Sequence, residues 1–162
     1  MTIAKYENIL SQINVDIDKF NNFLVEEFKI PHLQASNPEG VSVIANIPWD
    51  SHDWGRTFGG YPGVYLLCGY QETDPSRLGV YIGKASMGKN IGNRIWSHLQ
   101  HHRSTAIYKA NDSLGETFII EAVAAIALYD PRMRALAPAL EEFIICDVRD
   151  RVYLLNGVGN SG

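Results

Sequence analysis

The sequence predicts an α+β fold, with an antiparallel β-hairpin, one further strand, and helices before, between and after them. Three observations carry this. Gly63 to Tyr70 and Leu78 to Gly83 are short apolar and aromatic runs joined by a segment with turn chemistry at Asp74-Pro75-Ser76. Near the N-terminus, Ile3, Tyr6, Leu10, Ile13, Ile17, Phe20 and Leu24 are spaced alternately three and four apart, as on one face of a helix. Ile91, Ile95 and Leu99 repeat that period, and the stretch Ala137 to Val148 gives a second amphipathic wheel.

At 162 residues, with 46% apolar and 20% charged residues, the chain has the size and balance of one globular domain with its own core. No apolar run approaches the ~20 residues of a membrane span. The opening Met-Thr-Ile-Ala-Lys-Tyr-Glu lacks a signal peptide's apolar segment, so a cytoplasmic protein without membrane contact is expected. Cys68 and Cys146 each sit in an apolar run, which predicts buried free thiols in a reducing compartment. The net charge of −4 argues against a generally basic nucleic-acid binder. Its distribution does not: residues 1–60 hold eight acids and four bases, and the remainder holds ten of each. No acid lies between Gly83 and Asn111, where Lys84, Lys89, Arg94, Arg103 and Lys109 are interleaved with three histidines. That is a footprint for a phosphate backbone, or simply a solvated basic face.

The N-terminal helix should run to Pro31, with a break near Asn14 or Asn21. Its seam of about three heptads is the minimum for a coiled coil. Packing on its own domain is the ordinary use of such a seam, and a homodimer or a docking inhibitor protein is the alternative. The segment from Pro31 to Pro62 is irregular, with one strand candidate at Val41 to Ala45. Its loop of Trp49, His52, Asp53, Trp54 and Arg56 reads as a lid or stacking surface, or as a cap on a core edge. In the hairpin, alternation places Val64, Leu66 and Cys68 on one face; if Val80 and Ile82 share it, Tyr65 and Tyr81 share the other.

A helix from about Gly92 to His101 puts Arg94 and His98 one turn apart on one flank. His98, His101 and His102 have a spacing that could hold a transition metal, but no cysteine or carboxylate stands near to complete it. Glu116 to Leu128 reads as the third strand, and Asp130-Pro131 as a helix start. Pro138 either kinks that helix or marks its true beginning. On the wheel of Ala137 to Val148, Glu141 falls inside the apolar arc and Glu142 nearly opposite. A carboxylate facing a core is costly unless paired or metal-bound, so Glu141 is the acid that needs a reason.

Gly63-Val64-Tyr65, Tyr81-Ile82-Gly83, Arg94, His98, Glu141 and Asn156, in that order, resemble the GIY-YIG nuclease family. The likeness covers roughly Gly63 to Asn156. It implies a small three-stranded antiparallel sheet flanked by helices in residues 61–162, with residues 1–60 as a helical extension. It implies a metal-dependent endonuclease that hydrolyses DNA phosphodiesters, RNA not being excluded, with one Mg²⁺ or Mn²⁺ on Glu141. Tyr65 or Tyr81 would help deprotonate the attacking water, and sequence does not choose between them. Arg94 would clamp a phosphate oxygen, His98 would tune the tyrosines, and Asn156 would fix the site by hydrogen bonding. Lys84, Lys89 and Arg103 would bind the substrate backbone. The rival readings are a silent module that binds nucleic acid or a protein partner, and a toxin-type nuclease restrained by a partner protein.

Overall fold

Asp74 accepts hydrogen bonds from both the backbone N–H and the hydroxyl of Ser76, and this Asx turn closes the hairpin between β2 (Gly63–Gln71) and β3 (Leu78–Ala85). The computed structural model of the chain describes residues 2–34, 42–46, 59–102 and 107–156. The antiparallel sheet within them also holds β1 (Ser42–Asn46), β4 (Gln100–His102), β5 (Ile107–Asn111) and β6 (Thr117–Ala127). The order is β3-β2-β6-β5-β4, with β1 also paired to β6. Among the described residues, four α-helices accompany it: α1 (Thr2–Lys5), α2 (Glu7–Asn21), α3 (Ile91–His98) and α4 (Leu136–Val148).

The α+β class and the three central strands are as expected, but the described sheet has six strands rather than three. The additional β4 and β5 are short and lie at the far edge, where Ile107-Tyr108-Lys109-Ala110-Asn111 shows little apolar alternation to announce a strand. Helix α3 stops at His98, short of the expected His101. Leu99 keeps its buried place, at 7% exposure, but caps the helix with an extended ψ of 121°. The following residues then pair with β5.

The sheet separates two apolar layers. Val64, Leu66, Val80 and Ile82 face α2 and α4, whereas Tyr65, Leu67 and Ala85 face α3. Pro138 sits in the first turn of α4, where its missing N–H costs nothing, so it marks the helix start and not a kink. Asp130 accepts from the Arg132 N–H and caps the short turn Pro131–Met133 that leads in. Cys68 is buried and its thiol is pushed up to about 12 by desolvation. Cys146 corrects the expectation of two buried thiols: it lies on the outward side of α4 and is exposed.

The N-terminal helix breaks at Tyr6 and ends at Asn21, short of the expected Pro31, while Asn14 lies within it without a break. A β-bulge where the β2–β6 register shifts leaves Glu121 out of the ladder, and the buried Tyr6 hydroxyl donates to its carboxylate at 2.6 Å, joined by Lys5. Asn14 and Asn21 instead tie back the returning chain, accepting from the backbone N–H groups of Leu33 and Ile30. Ile9, Leu10, Ile13, Ile17 and Phe20 are buried in the same core as the sheet. The seam that could have joined two copies is therefore consumed within the chain. No described helix is long and apolar enough to cross a membrane.

Asp16, on α2, is fully buried against α4. It accepts from Arg151 at 2.5 Å, and Asp147 takes both Arg151 and Lys19. Burial, and then a hydrogen bond shared with Asp147, push the Asp16 carboxyl up to about 7 against the pull of Arg151, while the same bond lowers Asp147. A folded pKa raised above the unfolded value contributes stability that is full below pH 3.8 and lost as pH rises through about 7. Asp16→Asn keeps an acceptor for Arg151 without titrating. Relative to wild type it should therefore be more stable at pH 8 than at pH 5 by about 1–2 kcal/mol, read from urea denaturation at both pH values.

Candidate active site

Strand β3 is an edge of the sheet, and the C-terminal segment covers part of it in parallel. The Val80 N–H donates to the Tyr153 carbonyl at 3.0 Å and the Leu155 N–H to the Val80 carbonyl at 2.9 Å. The next rung is made by a side chain. Asn156 Oδ1 accepts from the Ile82 N–H at 2.8 Å, and Asn156 Nδ2 donates to the Ile82 carbonyl at 2.6 Å. A primary amide presents the same donor and acceptor as a peptide, so Asn156 satisfies both backbone groups of Ile82. It thereby fixes the strand one residue before Gly83.

Both glycines of the two motifs have a steric cause. Gly63 has φ 154°, and a Cβ there would overlap the Ile126 carbonyl on β6. Gly83 is paired with Tyr65, and a Cβ on it would overlap the hydroxyl end of the Tyr65 phenol. The bare Gly83 backbone thus lets Tyr65 lie across the edge strand. Gly83→Ala should displace the ring and cost about 1–3 kcal/mol, measured as a lowered denaturation midpoint. A midpoint equal to wild type would mean that the Tyr65 ring has no fixed place there.

Tyr65 and Tyr81 do share a face, and they meet His98 from α3. The Tyr65–Tyr81 and Tyr65–His98 ring centroids are 6.2 and 6.1 Å apart, and those of Tyr81 and His98 are 4.6 Å apart. Tyr81 Oη lies 3.2 Å from His98 Nε2. Burial, and then the charge of Arg94 one turn earlier, hold His98 below its ordinary pKa, so near pH 7 the imidazole is neutral and its Nε2 can accept from the phenol. Tyr65 is fully buried and its hydroxyl makes no hydrogen bond of normal geometry. Desolvation, then Tyr81, raise its pKa, while the Arg94 guanidinium is near enough to pull it partly back.

From the opposite face of the sheet, α4 presents Glu141, 2% exposed, to the same edge. Its Oε2 lies 2.7 Å from Lys84 Nζ, on the residue after Gly83. Glu141 is also among the charges that raise the Tyr65 pKa, and the carboxylate and the tyrosine approach the bare strand edge from its two faces. Glu142 is exposed, as the wheel predicts.

Tyr65, Tyr81, Lys84, Arg94, His98, Glu141 and Asn156 are thus brought together around residues 82–84. The other basic residues divide. Lys89 is exposed on the Ser86–Lys89 turn and lines an open cleft of about 640 Å³ together with Asn90 and Arg134. Arg134 gave no signal in the sequence, because only the fold brings the approach to α4 beside that turn. Lys109 is ion-paired to Glu72 and does not join the site. Arg103 and the loop of Trp49, His52, Asp53, Trp54 and Arg56 lie outside the described residues. Among those described, no three metal-ligating side chains cluster, and the chain turns from helix to strand between His98 and His101.

Comparison with known proteins returns no family model, no curated protein and no solved structure that matches the chain.

Proposed function

We propose that this chain is a metal-dependent endonuclease of the GIY-YIG type, hydrolysing phosphodiester bonds of DNA. The observation that carries the reading is convergence. Residues from β2, β3, α3, α4 and the C-terminal segment, far apart in sequence, converge on the edge around Gly83, with a buried acid on one side of the strand and an arginine, a histidine and two tyrosines on the other.

The donor set suits a hard divalent cation, Mg²⁺ or Mn²⁺, held by Glu141 and completed by water and substrate phosphate oxygens, as Mg²⁺ usually is. Such a cation supplies charge stabilisation at the phosphate and the leaving oxygen. Arg94 offers a planar fork to a phosphate oxygen, which an ammonium could not match. Of the two tyrosines, Tyr81 is the better proton acceptor. It is half-buried, so water can reach it, and its hydroxyl already points at a neutral imidazole. As Tyr81 Oη takes a proton from the attacking water, its own proton passes to His98 Nε2. This relay replaces the full ionisation of a phenol, which at pH 7 reaches only about 0.1% for pKa ~10. Tyr65 is the poorer base because burial opposes its phenolate. Its hydroxyl would instead donate to a charged substrate oxygen once substrate binding opens its burial. Lys89 and Arg134, across the cleft, are placed to follow the strand backbone.

The test is incubation of pure protein with plasmid, linear and single-stranded DNA and with RNA, each with Mg²⁺, Mn²⁺ or EDTA. DNA cleavage with either cation and none with EDTA is expected. Tight DNA binding without cleavage under every condition would establish the silent binding module instead.

A further inference from the structure

We infer that Lys84 is the resting counter-ion of the cation site: its ammonium takes the place of the divalent cation on Glu141 and leaves for the substrate phosphate when the cation binds. The inference rests on the nuclease reading above and adds how its site is kept before substrate arrives. Glu141 lies on the apolar arc of α4 with its side chain 3% exposed, where a lone carboxylate would be costly. Lys84 meets this cost at 2.7 Å, yet its own side chain is 37% exposed and its flexible stem can swing outward without disturbing the core.

On one carboxylate, an ammonium at that distance and a magnesium ion at about 2.0–2.1 Å repel each other at close range. Cation entry therefore loosens Lys84 and favours its departure. No acid exists in the sequence from Lys84 to Asn111, so that stretch offers the displaced ammonium no new carboxylate. A phosphate of the bound strand would give it a new counter-ion. By linkage, nucleic acid and cation then strengthen each other's binding, and a cation alone binds more weakly than Glu141 would otherwise allow.

The experiment titrates Mn²⁺ into the full chain without nucleic acid at pH 8, followed by electron paramagnetic resonance. Lys84→Met should bind Mn²⁺ on the order of tenfold more tightly than wild type, within the range of ordinary coupling between two sites, and Glu141→Gln should abolish that binding. Equal, Glu141-dependent affinity in wild type and Lys84→Met would overturn the counter-ion role while leaving the nuclease reading intact. Absence of Glu141-dependent binding in both, together with no DNA cleavage by wild type, would overturn both readings. If Lys84→Met does not fold, wild-type protein reductively methylated with ¹³C-formaldehyde serves instead. Its dimethyl-Lys84 resonance should shift on adding Mg²⁺ and stay fixed in Glu141→Gln, and a resonance unmoved in wild type would overturn the inference.

Discussion

Glu141→Ala is expected to reduce plasmid nicking to background and leave the fold standing, whereas Glu142→Ala should change neither. The two acids are neighbours on α4, so they share helix propensity, local charge and nearly the same distance from the helix ends. They differ in direction. Glu141 is 2% exposed and faces the edge of β3, while Glu142 is exposed to solvent. Truncating Glu141 removes a buried charge rather than stranding one, because its partner Lys84 is 37% exposed and can be solvated. The small void left on an otherwise apolar arc should cost at most about 1–2 kcal/mol, offset by relief of carboxylate desolvation. The melting temperature should therefore fall by a few degrees at most, while the acid proposed to hold the cation is lost. Equal nicking by the two mutants, each shown folded by its melting curve, would sink the assignment.

Much of this site was legible because its elements are local. The separation of Glu141 from Glu142 followed from a helical wheel and holds in the structure. The shared face of Tyr65 and Tyr81 followed from strand alternation. What could not be read was whatever depends on a partner distant in sequence. The break at Tyr6 exists because Glu121, on a bulge more than a hundred residues away, accepts its hydroxyl. The edge strands β4 and β5 exist because they pair with each other and with β6, and their own residues carry no clear period. Nor does any local pattern predict that Asn156 would act as a peptide for Ile82, or that Gly83 is bare because a tyrosine from the next strand lies over it. The glycine–tyrosine motifs look like two similar signatures in the sequence, but their glycines serve different contacts. Gly63 admits a carbonyl of β6 and Gly83 admits the ring of Tyr65.

The two tyrosines should also separate when their hydroxyls are removed. In Tyr81→Phe the relay to His98 is cut, so the single-turnover cleavage rate should fall by two or more orders of magnitude, the usual scale of lost general-base help. Stability should change little, because Tyr81 is only half-buried and its bond to His98 Nε2 is 3.2 Å long. Tyr65→Phe should behave differently on both axes. Its buried hydroxyl makes no hydrogen bond of normal geometry, an arrangement that costs the fold about 1–3 kcal/mol, so the mutant should melt no lower than wild type. Its rate should fall about tenfold to hundredfold, the value of one hydrogen bond to a charged oxygen. The wild-type rate should carry an acid limb set by His98, lying below the ordinary 6.5 because burial and Arg94 depress that pKa. The neutral imidazole is lost only as pH falls through this lowered value, and the limb should vanish in His98→Ala together with most of the rate. If both Phe mutants cleave like wild type, the tyrosines are core residues and the relay is wrong. If Tyr65→Phe is the slower of the two, the roles assigned to the tyrosines are reversed.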